Sequence, residues 1–443
     1  MVVGTLKTQG AQNEVPRLGS ISDLRSSLRK ERIALYALLG YLLFEYVRPQ
    51  SIYSAIDVLP WGAAFLLLSV LLALTEKPRR GLHNGISLLL AMFTLLVITS
   101  SFFAYSRTEA FNNFDIYLNW VLLYFAFVRI VNTPRRWVLL MAAFLLFSFK
   151  MSQHGARVWA MRGFAFADWG LGGPPGWFEN SGELGIQMCI FLPLSIGFIL
   201  AFRSRWPRWV AGIAWLMPIT AVATILGSSS RGAVLGGVFS LLPFLARSKY
   251  RMKALTAVSV AVVIGIALMP QEFMERFRSA GEDNTSTARL ERWEAGIEMM
   301  LDHPVLGVGY FNWPIYYPAT YKPGIDGGML SHNIFVQAGS ELGVTGLVLF
   351  LAMIAAAFLA MARIRAAMNG HADEDIYRPL ANGMDGAMVG FIVSGFFVTV
   401  LFYPYFWVQL AFTVSLYGIV TSQDDRPIRR RLSMKVHGEQ NAT

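Results

Sequence analysis

The chain has 443 residues, of which 55% are hydrophobic and only 15% charged. Soluble globular chains carry about 25% charged residues, so this composition, with a mean hydropathy of +0.46, excludes an ordinary soluble enzyme. The net charge of +10 does not point to nucleic acid, because the cations come in short clusters between apolar runs, the pattern of the positive-inside rule.

The apolar runs are continuous and long enough for bilayer-spanning helices, and they do not alternate as β-barrel strands would. The expected fold is an all-α polytopic membrane protein. The single cysteine, Cys189, sits inside an apolar run and leaves no disulfide framework. The six histidines are scattered without metal-ligand spacing.

Residues 1–31 are polar and basic and read as a flexible cytoplasmic tail. No small-residue cleavage site follows them, so no cleavable signal peptide is expected. About twelve spans make up residues 32–422, near 32–47, 58–75, 86–104, 114–131, 137–154, 183–202, 207–227, 232–246, 252–269, 341–362, 384–403 and 405–422. Residues 423–443 form a second tail. With the N-terminus inside, every inner loop is basic, including Arg135/Arg136, Arg247/Lys249 and Arg363/Arg365. Both termini are therefore expected in the cytoplasm.

This orientation puts two long segments outside, 152–182 and 270–332. The first is rich in Gly, Pro and Trp and should be ordered by turns. The second lies between spans nine and ten. After a charged stretch from Glu272 to Asp283, capping residue types at Asn284-Thr285-Ser286 precede an amphipathic helix over about 287–302, ended by Pro304. Leu290, Trp293, Ile297 and Met300 share a face that would hold this helix against the membrane.

A few outward-side cations carry candidate chemistry. Arg289 and Arg292 are helix neighbours, and guanidinium groups match phosphate oxygens by paired hydrogen bonds. They serve equally well as partners of Glu291, Glu294 or Glu275. Arg231 follows Gly227-Ser228-Ser229-Ser230 at a membrane boundary, either as part of an anion-binding turn or as a snorkelling arginine. His332, between Ser331 and Asn333, is a candidate general base or an interfacial hydrogen-bonding residue. His303 and His154 have less to single them out. The outer carboxylates, among them Glu179, Glu183, Asp302 and Asp326, show no D-x-D-like spacing, so no metal and no cofactor is expected.

The order Ser230-Arg231-Gly232, Arg289-x-x-x-Trp293, His303-Pro304-Val305-Leu306-Gly307-Val308-Gly309, His332-Asn333 and Glu341-Leu342-Gly343-x-x-Gly346 resembles the O-antigen ligase and O-antigen polymerase superfamily. These are bacterial inner-membrane glycosyltransferases of the GT-C type with about a dozen spans. The resemblance implies inverting transfer of an undecaprenyl-diphosphate-linked glycan to an acceptor hydroxyl at the periplasmic face, without a metal. In a ligase the acceptor is a sugar of lipid A core. In a polymerase it is another lipid-linked glycan, and in a related oligosaccharyltransferase a protein Ser or Thr.

By motif, Arg231 and Arg289, with Arg292 beside them, would bind the diphosphate, and His332 would be the base. Gly176-Trp177-Phe178-Glu179-Asn180 resembles the family's Gly-x-x-x-Asn stretch. Asn180, Arg162, Asn333 and Glu341 are further candidate contacts to donor or acceptor. A flippase for lipid-linked glycans is the rival from another class, disfavoured because the polar groups gather at the outer surface and not deep in the spans.

Overall fold

The computed structural model describes residues 15–16, 20–76, 84–166, 170–248, 251–253, 256, 284–324 and 330–440. Among them all regular secondary structure is helical. Helices stand at each expected span except the ninth, 252–269, which lies almost wholly outside the described residues, as do Glu272 to Asp283 and Asp326. Six are long and apolar enough to cross a membrane by length and composition: Gly85–Phe102, Pro134–Met161, Ser181–Phe202, Arg208–Gly227, Ile334–Ala367 and Pro404–Ser422.

Proline explains two departures from unbroken spans. The expected span 207–227 divides into Arg208–Ala214 and Leu216–Gly227. Pro218 has no N–H to offer the Ala214 carbonyl and its ring crowds it, so the helix breaks one turn earlier. Pro243 stands in the same relation to Phe239, where the helix Arg231–Phe239 ends before Leu242–Ala246.

Other boundaries move because hydropathy averages over charge. Span eleven, expected over 384–403, is the helix Glu374–Gly395. Its charged first turns pushed the apolar window later, while the stretch before Pro404 is kept out of helix by the proline that follows. The helix Pro134–Met161 runs into the segment read as loop from 152. The tails are more regular than expected: Ser20 caps a helix at Ile21–Leu28, and the last helix continues to Gln440.

Several cations assigned to inner loops hold helices together instead. Arg136 pairs with Glu31 at 2.7 Å and Glu76 at 3.1 Å, with all three side chains buried. Arg247 and Arg365 share the buried Asp385 at 2.8 and 2.9 Å. Removing one partner from such a group strands a buried charge, so these positions carry packing as well as topology. Elsewhere the helices Ser181–Phe202 and Glu374–Gly395 touch backbone to backbone. A Cβ on Gly390 would sit 2.5 Å from the Cys189 carbonyl, the close approach that small residues allow between membrane helices.

The long helix Ile334–Ala367 is broken at Gly343, where φ is +72° and ψ is −176°. Into this break fits the segment after His303. Val308 N–H donates to the Ser340 carbonyl at 2.8 Å, Gly309 N–H to the Glu341 carbonyl at 3.2 Å, and Val344 N–H to the Pro304 carbonyl at 2.8 Å. Ser100 Oγ, from the helix Gly85–Phe102, donates to the Leu306 and Glu341 carbonyls and accepts from Tyr310 N–H. Two of the sequence motifs are thus the halves of one backbone joint. At Gly343 a Cβ would lie 2.5 Å from the Pro304 carbonyl oxygen on backbone that L-residues adopt at a cost of about 1–3 kcal/mol. Gly343→Val is therefore expected to lower the melting temperature of detergent-purified protein markedly. An unchanged transition would show that the joint does not hold the fold.

Candidate functional site

Arg231 opens its helix behind a tight turn. Ser229 sits in the left-handed region at φ +53°, Ser228 Oγ donates to the Ile225 carbonyl at 2.6 Å, and Ser230 Oγ accepts from Ala233 N–H. Two of the three hydroxyls are therefore spent on local backbone, leaving Ser229 Oγ buried without a hydrogen-bond partner among the described residues. The turn aims Arg231 across to another element: its Nη2 donates to Ser286 Oγ at 3.3 Å.

Ser286 belongs to the first turn of the helix Asn284–Asp302, which carries Arg289 and Arg292. This arginine helix packs through Ala295, Gly296 and Met299, with Val336 and Trp313 pressed against Gly296. Trp293 Nε1 donates to the Ser331 carbonyl at 3.1 Å. The expected apolar face therefore divides: Trp293 turns toward the His332 segment, while Leu290 and Ile297 are exposed. Glu291 is taken by Lys322 at 2.9 Å. Arg289 and Arg292 are both half-buried.

His332 occupies a left-handed backbone position, φ +51°, which histidine visits more readily than most residues. Its N–H donates to Thr399 Oγ1 at 2.7 Å, and Ser331 Oγ lies 3.3 Å from the same hydroxyl. Burial, then the charges of Arg289 and Arg292, push the imidazole pKa down to about 4. The bond from Trp293 Nε1 to the Ser331 carbonyl sets the arginine helix beside the His332 segment. The site therefore gathers Arg231, Arg289, Arg292 and His332 from three separate stretches of chain. Its imidazole is neutral, with a lone pair to accept a proton, at pH 7.

A depressed histidine pKa contributes stability that is present above its ordinary value and lost as pH falls toward the folded value. Titration of His332 followed by NMR is expected to place its midpoint well below 6.5, and Arg289→Gln should move it upward. A midpoint unmoved by Arg289→Gln would break the electrostatic link.

The remaining candidates lie on neighbouring elements, several with structural contacts of their own. Asn333 Oδ1 accepts from Phe335 and Val336 N–H at 2.8 and 3.2 Å, capping the long helix. Glu341 is buried in that helix, where Oε1 accepts from Trp313 N–H and Oε2 stands 3.5 Å from Gln337 Nε2. Asn180 starts the helix Ser181–Phe202 with its N–H donating to Glu183 Oε2 at 3.0 Å. Arg162 is exposed at the end of Pro134–Met161, whose Trp159 packs against Gly227 just before the Arg231 turn. His303 Nε2 pairs with Tyr316 OH at 3.4 Å. Among the described residues no three His, Cys, Asp or Glu side chains gather as a metal-ligand set.

The sequence reading missed Thr399, which seats His332. A lone threonine in an apolar run gives no local signal. Ser286 was legible only as a capping type, and its contact with Arg231 spans the whole undescribed segment.

Residues 216–351 match the family described as O-antigen ligase, a range containing Arg231, Arg289, Arg292 and His332. The chain is 27% identical over 198 residues to the exopolysaccharide production protein ExoQ of Rhizobium meliloti (strain 1021), covering 41% of this chain and 45% of that protein. The match thus spans less than half the length of that relative. A chain from a solved peptidoglycan synthase complex that coordinates polymerization and crosslinking overlays with a TM-score of 0.41 at 15% identity. That overlay covers 77% of this chain and 97% of the other. The family match over the arginine and histidine elements and the ExoQ similarity together support a place for this chain in the O-antigen ligase and polymerase superfamily.

Proposed function

We propose that this chain is a periplasm-facing glycosyltransferase that moves a glycan from an undecaprenyl-diphosphate carrier to a sugar hydroxyl of lipid A core. The observation that carries the reading is the convergence of Arg231, through Ser286, and of the arginine helix, through Trp293, on the half-buried His332 segment. In the reaction, His332 takes the proton of the acceptor hydroxyl as its oxygen attacks the anomeric carbon. The bond from that carbon to the diphosphate breaks, and its electron pair leaves on the phosphate oxygen. Attack from the face opposite the leaving group inverts the anomeric centre. The arginines stabilise the charge developing on the diphosphate, the role of fixed donors in a site shielded from water.

Donor binding also tunes the base. A diphosphate against Arg289 and Arg292 offsets the positive field on His332 and raises its basicity, so the base strengthens only when the donor is in place. The basic inner clusters support the outward-facing placement of this site. Exposed Leu290 and Ile297 support seating of the arginine helix at the bilayer surface, where a polyprenyl diphosphate presents its head.

Similarity to ExoQ favours a second reading, in which the acceptor is another lipid-linked glycan and the product a longer polymer. Purified protein in vesicles, supplied with an undecaprenyl-diphosphate glycan, would be offered lipid A core, a second lipid-linked glycan and a Ser-rich protein. The expected product has the mass of glycosylated lipid A core. A lengthened lipid-linked glycan would support the polymerase reading. Transfer is also expected to persist in EDTA, and loss restored by Mg²⁺ or Mn²⁺ would place a metal in the reaction.

A further inference from the structure

A second cluster of cations lies away from His332. Lys150 and His154 are four residues apart on the helix Pro134–Met161, so they share one face. With Arg48 they line a cleft of about 280 Å³ whose far wall is Gly172-Gly173-Pro174-Pro175. That size is near the lower end of small-ligand pockets, roughly 300–1,000 Å³. Among the described residues no Asp or Glu lines it.

The backbone at Arg48 is constrained. The residue ends the π-helical turn Leu43–Val47 at φ +51°, immediately before Pro49. Its guanidinium lies so close to Gly176, itself at φ +93°, that any Cβ there would run into Nη1. The φ of +93° accounts for the glycine of the Gly176-x-x-x-Asn180 stretch, and Arg48 fills the space beside it. Arg48 Nε is buried with no hydrogen-bond partner among the described residues.

The same arginine lines a second, larger cleft of about 480 Å³, bounded by Glu45, Asp57, Trp61, Trp177 and Tyr403. Glu45 Oε1 accepts from Trp177 Nε1 at 3.2 Å. The Trp177 and Tyr403 rings meet edge to face at 4.9 Å. Tyr403 follows Thr399, the seat of His332, by one short non-helical stretch. The chain that seats His332 thus goes on to border a cleft lined by Arg48.

We propose that Arg48, Lys150 and His154 form a second anion site that holds a phosphate group of the acceptor lipid. Arg48 and Lys150 supply charge, and His154 supplies a ring nitrogen. The inference rests on the transferase reading above. It gives the second substrate its own anchor, separate from the arginines assigned to the donor diphosphate. Lipid A core and a lipid-linked glycan both carry phosphate, so the shared chemistry is a phosphate ester on a lipid acceptor.

The test is steady-state transfer by purified protein in zwitterionic vesicles, with donor and acceptor varied separately. Arg48→Gln and Lys150→Gln are expected to raise the KM for phosphorylated lipid A core about tenfold or more, the scale of a lost charge-assisted contact. The kcat and the donor KM should be retained. Phosphatase-treated lipid A core should show the raised KM already with wild-type protein, and the variants should add nothing to it. A donor KM that rises instead, an acceptor KM unchanged in both variants, or an equal rise for both acceptor forms would overturn the proposal. So would an effect abolished by adding anionic phospholipid, which would assign the site to a bilayer headgroup. Melting temperatures of the variants separate these outcomes from misfolding. Wild-type protein that forms no glycosidic bond would reject the transferase reading itself.

Discussion

His332→Asn is expected to reduce glycan transfer by about 10²–10⁴-fold, the range a positioned general base contributes. Asparagine is the informative replacement because it tolerates the left-handed backbone that His332 adopts at φ +51°. The N–H to Thr399 Oγ1 can persist, so the change removes the imidazole and little else. His332→Ala removes the same ring but adds backbone strain, and should melt earlier than His332→Asn while being equally inactive. Donor binding, measured with a labelled lipid-diphosphate glycan, should survive both. Substantial turnover by His332→Asn would show that another group removes the proton.

Arg231→Ala and Arg289→Ala are each expected to lower transfer by about 10²–10³-fold, as loss of one fixed donor to a developing anion does. Lysine should rescue poorly, because one ammonium cannot reproduce the forked contact of a guanidinium with phosphate oxygens. Arg231 also contacts Ser286 Oγ, and Ser286→Ala gauges that contact alone. If Ser286→Ala matched Arg231→Ala, the arginine would be acting as a strut for the arginine helix and not on substrate.

The helical positions were legible because apolar runs of bilayer length have few other uses. Their ends were harder to place. Pro218 and Pro243 carried a local signal for the breaks, whereas the charged start of Glu374–Gly395 hid a helix from a hydropathy window. Loop arginines counted toward orientation, such as Arg136 and Arg247, turned out to be ion-pair partners of Glu31 and Asp385. A count of cations carries no information about burial.

The site was legible in its residues and not in its geometry. The spacing of Arg289 and Arg292 gave their shared helix, yet the contact of Arg231 with Ser286 and of His332 with Thr399 joins positions far apart in sequence. The Gly307 and Gly343 motifs entered only through the family resemblance. They form the backbone joint beneath it, where helix and loop exchange hydrogen bonds. Glu341 and Asn333 follow the same pattern, with side chains spent on Trp313 N–H and on a helix cap.

The central claim is that one outer-face cluster both binds the diphosphate and completes the transfer. It is tested most directly by measuring undecaprenyl diphosphate release and glycan transfer together, on purified protein in sealed vesicles. Wild-type protein should release one diphosphate for each glycosidic bond formed, and Arg231→Ala, Arg289→Ala and His332→Asn should lose both signals together. Glycan crossing the bilayer with its diphosphate still attached, or transfer surviving all three substitutions, would contradict the account.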